Sequence, residues 1–335
     1  MALVTSTPSG LHCAIGQFHI DPSAPVEVAV LTHAHADHAR AQMAQKYICT
    51  NDSIALLHKR LGADAPLEGH AYGERFSLGD AIVSLHPAGH VLGSAQVRIA
   101  ARGEVDVVSG DYKRSPDPTT APCEVIPCDV FVTEATFALP VYRWDAPSVI
   151  AREILEWWDE GVRAQRPSVL FCYSLGKAQR ILGELAQLCN RRVLVHGATE
   201  AVTAIYRAQG IAMLPTEIVS DKMRGSAFAG ELVLAPPGAM ATPWMRRFGA
   251  KVETGFASGW MRVRGARRRR GVDRGFVLSD HADWPELLDT IAATGAREVL
   301  TTHGFKEALA RFLVEDGRVE RAGVLTTDFA GEGDV

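Results

Sequence analysis

The sequence has few of the features that mark membrane, secreted or nucleic-acid-coating proteins. Its 335 residues contain no apolar run near the roughly 20 residues that a membrane span needs, so we expect no membrane association. The first ten residues lack the basic start and long apolar stretch of a secretory signal, which makes the cytoplasm the expected location. The net charge of −4 argues against a protein that coats nucleic acid without selectivity.

Cysteine is scarce and scattered. The six cysteines include no C-x-x-C pair, which argues against a disulfide framework and against a zinc ribbon. The chain is nevertheless long enough, and at 47% hydrophobic residues apolar enough, to bury a large core in one big domain or two ordinary ones.

The most informative segment is His33–His38, which places three histidines and a carboxylate within six positions. The apolar run before it, residues 28–31, predicts a buried strand, and the period-two spacing of the first two histidines aims both rings the same way. Asp37 and His38 would then face a second ion. Because imidazole and carboxylate together suit zinc or manganese, the segment predicts part of a two-metal site.

Three later residues could complete such a site. His90, Asp111 and His303 each lie among small residues where a predicted strand ends in a loop. Flanking glycines let the backbone approach an ion closely, and loops after strands commonly carry functional side chains. Each residue alone is more typical of a cap or a core position, but together with the histidine cluster they form a plausible ligand set.

The pattern of apolar residues divides the chain into two parts. Short strands dominate up to about residue 147. Beyond it, helices predicted over 148–165 and 177–189 alternate with strands predicted over 168–173 and 192–196. Such alternation is typical of parallel strands joined by crossover helices, so we expect an α/β fold.

A basic run interrupts this acidic protein between residues 262 and 274. It contains Arg262, Arg264, Arg267, Arg268, Arg269, Arg270 and Arg274, with Asp273 as the single acid. A polyanionic ligand such as nucleic acid would explain the run, and a solvated charged loop explains its composition equally well. Lys177, in a turn before a predicted helix, could add a phosphate contact or belong to a helix cap.

The motif H-x-H-x-D-H, followed by His90, Asp111 and His303, resembles the metallo-β-lactamase superfamily over nearly the whole chain. The resemblance implies an αββα sandwich with two bound zinc or manganese ions. It implies that His33, His35 and His90 bind one metal, that Asp37, His38 and His303 bind the other, and that Asp111 bridges them. Asp21 would orient a ligand histidine through a hydrogen bond, although an Asp before Pro is also an ordinary turn former.

The stretch between Asp111 and His303 is long enough for an inserted domain. Within it, 133–137 and 279–283 resemble the acid and histidine motifs of the β-CASP nucleases, and further runs resemble bacterial DNA ligase-associated exonucleases. The resemblance implies a catalytic domain over 1–143 and 275–335 with an α/β β-CASP domain inserted over 144–274. We expect the inserted domain to close over the metal face.

This resemblance implies a two-metal-dependent DNA exonuclease that acts on single-stranded ends in DNA repair, in functional association with an ATP-dependent DNA ligase and a helicase. Asp37 would orient the nucleophile as well as bind metal, and His281, held by Glu134, would donate a proton to the leaving oxygen. A structural acid and a buried, hydrogen-bonded histidine remain the alternative for this pair. The alternative functions are an RNA-processing β-CASP ribonuclease, a small-molecule hydrolase and a binding module without catalysis.

Overall fold

A computed structural model describes residues 2–325, except for the side chains of residues 266 and 267. The strands are β1 (Val4–Thr7), β2 (Gly10–Cys13), β3 (Phe18–Ile20), β4 (Val26–Val30), β5 (Ala44–Thr50), β6 (Leu67–His70), β7 (Arg75–Leu78), β8 (Ala81–Pro87), β9 (Ala95–Ala101), β10 (Glu104–Val108), β11 (Val130–Glu134), β12 (Ser168–Phe171), β13 (Val193–Val195), β14 (Thr216–Ile218), β15 (Leu232–Ala235), β16 (Glu253–Ala257), β17 (Arg274–Phe276), β18 (Glu298–Thr302) and β19 (Arg321–Val324). The helices are α1 (Ile54–Leu61), α2 (Pro147–Ala164), α3 (Lys177–Ala186), α4 (Gly197–Ala208), α5 (Arg264–Arg270), α6 (Trp284–Thr294) and α7 (Lys306–Glu315).

The described chain forms two compact units. The first comprises residues 2–114, 120–143 and 281–325, and the second comprises residues 115–119 and 144–280. The sequence placed the end of the inserted domain after residue 274, whereas the structure keeps residues 275–280 in the second unit. The reason is that β17 pairs with β16, so this stretch belongs to the sheet of the second unit. Residues 326–335 of the predicted last segment lie outside the described residues.

The first unit contains two mixed sheets. One has the strand order β1-β2-β3-β4-β5-β6, antiparallel as far as β3 and parallel from β3 to β6. Between β2 and β3, Gln17 adopts a left-handed backbone (φ 55°) where the chain turns. The parallel pairing of β3 with β4 brings the carboxyl ends of both strands to one edge.

The second sheet of this unit has the order β19-β18-β11-β10-β9-β8-β7. Strands β10, β11, β18 and β19 run parallel, whereas β9 is antiparallel to both of its neighbours, β8 and β10. It follows that β8 and β10 point the same way. The carboxyl ends of β8, β10, β11 and β18 therefore meet along one edge of the sheet, which is where loops can gather side chains.

The core of the first unit lies between its two sheets. Val30 and Ile48 from one sheet belong to the same buried cluster as Val97 and Val132 from the other, so the sheets pack face to face. Phe131 and Val299 project from the opposite face of the second sheet into a cluster with Leu287 of α6 and Leu309 of α7. Helices thus cover the outer face of that sheet.

The second unit is built on one sheet in which every pairing is parallel, in the order β14-β13-β15-β12-β16-β17. Its strands are connected through helices and loops, and β12 and β13 are buried throughout, as expected for a covered parallel sheet. The predicted α/β class is confirmed. Within residues 2–325, no helix combines the length and the apolar character that crossing a membrane requires.

Candidate metal centre

The histidines and acids singled out in the sequence lie where strands of the first unit end. The H-x-H-x-D-H segment follows β4 and Asp21 follows β3, at the shared edge of the first sheet. His90, Asp111 and His303 follow β8, β10 and β18, at the shared edge of the second sheet. The sheet topology therefore brings together residues that are far apart in the chain.

One group of donors consists of His33, His35, His90 and Asp111. Nδ1 of His35 lies 3.1 Å from Nε2 of His33 and 3.0 Å from Nε2 of His90. Oδ2 of Asp111 lies 3.5 Å from Nε2 of His33 and 3.7 Å from Nε2 of His90. Because tetrahedral ligands at zinc–nitrogen bond lengths lie about 3.4 Å apart, this spacing fits one bound cation.

A second group consists of His38, Asp111 and His303, whose donor atoms lie within 4.8 Å of one another. Nε2 of His38 is 3.4 Å from Oδ2 of Asp111 and 3.8 Å from Oδ2 of Asp37. The Asp37 side chain lies outside the group of three and is 21% exposed. Oδ2 of Asp111 faces His33, His38 and His90 alike, so the two donor groups share this oxygen.

Asp21 holds both the backbone and a ring of the histidine cluster. Its Oδ2 lies 2.7 Å from Nδ1 of His38 and accepts the Thr32 hydroxyl at 2.5 Å, while its Oδ1 accepts the Thr32 backbone N–H at 2.8 Å. Oγ1 of Thr32 in turn lies 3.0 Å from Nδ1 of His33. These contacts at Nδ1 leave Nε2 of both rings directed at Asp111, as in metal sites whose ligands are oriented by hydrogen bonds.

The backbone at the last donor is constrained. His303 has a left-handed conformation (φ 58°), which is uncommon for a residue with a Cβ and is often found at functional sites. The next residue, Gly304, also has positive φ, and a Cβ there would overlap the carbonyl oxygen of Ala135. Glycine is therefore required at 304 for the chain to turn after β18 and present His303 at the sheet edge.

Glu134 and His281 form a buried pair beside the donors. Nδ1 of His281 lies 2.8 Å from Oε2 of Glu134, whose Oε1 accepts the backbone N–H of Tyr112 at 2.8 Å. Burial raises the pKa of Glu134. The donor atoms of this pair also lie within 4.8 Å of Asp111, so His281 is at the centre and its ring orientation is fixed.

Burial lowers the pKa of His303 to about 4 and, together with the nearby charge of His38, holds the pKa of His33 well below its usual value. Both rings are therefore neutral at pH 7, the form of imidazole that binds metal. For His38, burial lowers the pKa, but the carboxylates of Asp111 and Asp21 outweigh it and hold the pKa well above the usual value. A cation bound there would displace a proton from His38.

Two threonines in the centre were missed in the sequence. Thr32 and Thr302 directly precede His33 and His303, and Oγ1 of Thr302 lies 2.8 Å from Nδ1 of His303. Each hydroxyl contacts the Nδ1 atom of the histidine that follows it. The repeated pair Thr-His at two strand ends was the signal that could have identified them.

The basic run forms helix α5 and the segments on either side of it. Its exposed arginines are Arg262, Arg264, Arg268 and Arg269. Arg270 and Arg274 stack their guanidinium groups over Phe256 and Phe276, at 4.7 and 5.6 Å from the ring centres. The side chain of Arg267 lies outside the described part of the chain. The run thus combines a solvent-facing positive surface with two arginines that also pack against the sheet of the second unit.

The structure contradicts a phosphate contact for Lys177. This lysine begins α3 but is only 2% exposed, and its Nζ lies 2.7 Å from Oδ2 of Asp280. Its charge is neutralised inside the second unit, so it cannot face a nucleic acid. The turn before α3 instead belongs to a helix cap, in which Gln179 accepts the backbone N–H of Gly176 at 2.9 Å.

No family model matches the chain. It is 31% identical over 301 residues to "Probable DNA ligase" of Opitutus terrae, covering 89% of this chain and 29% of that protein. It is 24% identical over 179 residues to an "RNase J-like protein" of Methanocaldococcus jannaschii, covering 47% of this chain and 42% of that protein. It is 35% identical over 101 residues to "Endoribonuclease ysh1" of Aspergillus fumigatus, covering 29% of this chain and 11% of that protein.

The chain spans less than half the length of these curated relatives. Among solved structures, a protein of unknown function from Enterococcus faecalis V583 superimposes with a TM-score of 0.60 at 12% identity, over 90% of this chain and 79% of that one. At this identity the likeness concerns the fold alone.

Proposed function

Because the chain belongs to the β-CASP group of the metallo-β-lactamase superfamily, we propose that it is a two-metal-dependent DNA exonuclease that hydrolyses phosphodiester bonds at single-stranded ends in DNA repair. The observation that carries this proposal is the pair of donor groups that share Asp111. The two packed sheets of the first unit, with helices on an outer face, support the αββα sandwich that such enzymes use.

The donor set fits two divalent cations. His33, His35 and His90 would hold one, His38, His303 and Asp37 the other, and Asp111 both. Nitrogen donors mixed with hard carboxylate oxygens suit zinc or manganese. When bound, two such cations supply charge stabilisation for the scissile phosphate and activate the attacking water.

The remaining chemistry falls to side chains of the first unit. Asp37, whose side chain is 21% exposed and lies 3.8 Å from Nε2 of His38, would accept a hydrogen bond from the attacking water and so orient it. His281 donates a proton to the leaving oxygen, which would otherwise depart as an unstable alkoxide. Since Glu134 holds Nδ1 of His281, Nε2 is the donating atom.

The exposed arginines of the basic run would bind phosphates of the DNA substrate. Arg264, Arg268 and Arg269 face solvent in and beside α5, and guanidinium groups pair readily with phosphate oxygens. A relative of this chain is named a DNA ligase, which supports functional association with an ATP-dependent DNA ligase. Association with a helicase rests on the family resemblance alone.

A second candidate function is RNA processing, because two of the relatives are named for ribonucleases. The metal chemistry does not distinguish the two substrates, since both present the same phosphodiester. Discrimination depends on contacts to the ribose 2′-hydroxyl. A small-molecule hydrolase would leave the exposed arginines unexplained.

The test is digestion of end-labelled single-stranded DNA and of RNA of matching sequence, with manganese or zinc added. We expect metal-dependent loss of DNA but not of RNA, abolished by a chelator and by Asp37→Ala. The exposed Asp64→Ala is the matched control and should remain active. Cleavage of RNA would favour the ribonuclease over the DNA exonuclease. Failure to cleave either nucleic acid would overturn both proposed functions.

A further inference from the structure

A buried charge network lies in the second unit, outside the metal centre. Lys177 and Arg180 are one turn apart on α3, so they share a face of the helix, and both are 2% exposed. The carboxylate of Asp280 pairs with both: Oδ2 lies 2.7 Å from Nζ of Lys177, and Oδ1 lies 3.2 Å from Nη1 of Arg180. Asp280 is itself 3% exposed.

Arg180 extends the network in two directions. Its Nη1 also donates to the backbone carbonyl of Ser279, and its Nε lies 3.5 Å from Oδ2 of Asp117. Oδ1 of Asp117 accepts the backbone N–H and the hydroxyl of Thr119 at 2.8 and 2.7 Å. Two cationic side chains thus face two carboxylates. The network holds both the carbonyl of Ser279 and the side chain of Asp280.

Stability alone does not account for this arrangement. Removing several charges from water carries a desolvation penalty that can exceed the gain from pairing them, and apolar replacements of similar size are often at least as stable. What the network does provide is a fixed geometry for residues 279 and 280. The next residue along the chain is His281, whose ring is held at its other end by Glu134.

We propose that Lys177 and Arg180 are positioning residues for His281. By holding the carbonyl of Ser279 and the carboxylate of Asp280, they fix the backbone from which the His281 side chain projects. The ring then needs no further ordering to meet the leaving oxygen, and small displacements of a reacting group lower rates severely. This role depends on the proposed function, in which His281 is the proton donor.

Two substrates that differ in their need for a proton test the proposal. The alkoxide released from DNA must be protonated, whereas the p-nitrophenolate of bis(p-nitrophenyl) phosphate leaves without a proton. For Lys177→Met we expect the single-turnover rate on DNA to fall about 10- to 100-fold. The rate on the p-nitrophenyl ester and the dissociation constant for DNA should stay within about twofold of wild type, because neither depends on a proton donor.

A second variant distinguishes loss of positioning from loss of stability. Lys177→Met/Asp280→Leu replaces the ion pair by apolar side chains, so its melting temperature should approach that of wild type, while the loss on DNA persists. The matched control is Arg207→Met, which removes an ion pair of the same unit, 3.2 Å from Glu200. It should lower the melting temperature and leave the rates on both substrates unchanged.

Wild-type DNA cleavage by the double variant would overturn the positioning role, and so would equal losses on the two substrates. His281→Asn separates this failure from that of the proposed function. If it slows DNA cleavage selectively but the Lys177 variants do not, positioning fails and proton donation stands. If it does not discriminate between the substrates, proton donation by His281 fails, and the positioning role fails with it.

Discussion

Oδ2 of Asp21 and Nδ1 of His38 lie 2.7 Å apart, both fully enclosed by the protein. The contact joins the end of β3 to the end of the neighbouring parallel strand β4 and the loop that follows it. A ring whose Nδ1 is held by a carboxylate is fixed in orientation, and its Nε2 becomes the more basic donor. Asp21, which lies outside both donor groups, therefore fixes the orientation of His38 in the second donor group.

Replacing Asp21 by asparagine should weaken metal binding. The amide has one acceptor oxygen in place of two, so it cannot serve both the Thr32 backbone N–H and the ring of His38. We expect the affinity for the second cation to fall about 10- to 100-fold while that for the first changes little. Calorimetric titration with zinc would resolve the two steps, and an unchanged second step would contradict the orienting role of Asp21.

Glu134 and His281 should behave as a unit in catalysis. His281→Asn is expected to lower the single-turnover rate about 10²- to 10⁴-fold, the range of general acid catalysis. Glu134→Gln should lower it less, because the ring remains present but loses its fixed orientation. The double variant should match His281→Asn alone. Independent, additive losses in this mutant cycle would separate the two residues functionally.

The exposed arginines of the basic run should govern the salt dependence of DNA binding. Each phosphate contact on single-stranded DNA contributes about 0.7 to the slope of log affinity against log salt. Arg268→Gln/Arg269→Gln should therefore reduce the slope by up to about 1.4 units. Fluorescence anisotropy with a labelled oligonucleotide in chelator, which prevents cleavage, measures the slope. The exposed pair on α2, Arg152→Gln/Arg163→Gln, is the matched control, and an equal loss there would rule out a dedicated surface.

Asp106 should make the stability of the protein depend on pH. It is 0% exposed and accepts the backbone N–H groups of Leu3 and Val4, and burial raises its pKa from 3.8 to about 6. Because the folded pKa is the higher one, the stabilising effect is full below about pH 4 and is lost as the pH rises through 6.

Asp106→Asn cannot ionise and should escape this loss. Relative to wild type, its free energy of unfolding should rise by up to about 3 kcal/mol between pH 4 and pH 7, as the pKa difference implies. Urea unfolding at the two pH values measures the change. Parallel trends in variant and wild type would show that Asp106 is not the group responsible.

The donor residues were accessible to sequence analysis because their signals are local. His33, His35 and His38 lie, with Asp37, within six consecutive positions. His90, Asp111 and His303 each follow a strand that could be recognised from its apolar pattern. The burial of Lys177 could not be predicted from the sequence. Its partner, Asp280, comes from a distant part of the chain, and a lysine beside a glycine at a helix start has the same pattern whether it is buried or exposed.

One domain boundary also differed from its prediction. The boundary after residue 274 was implied by the family resemblance, whereas the pairing of β17 with β16 is a long-range contact that no local motif predicts. A single sequence shows local motifs, but it does not show which strands or side chains pair over long distances in the chain.

Strand β18 pairs with β11 although almost the whole second unit separates them in the chain, and His303 follows it. During synthesis, the donors from His33 to Asp111 leave the ribosome well before His303 does. A growing chain therefore contains every residue of the first donor group early, but the second group stays incomplete until β18 has been made and has paired. As a proposed nuclease, the protein would remain harmless to nearby nucleic acid throughout most of its own translation.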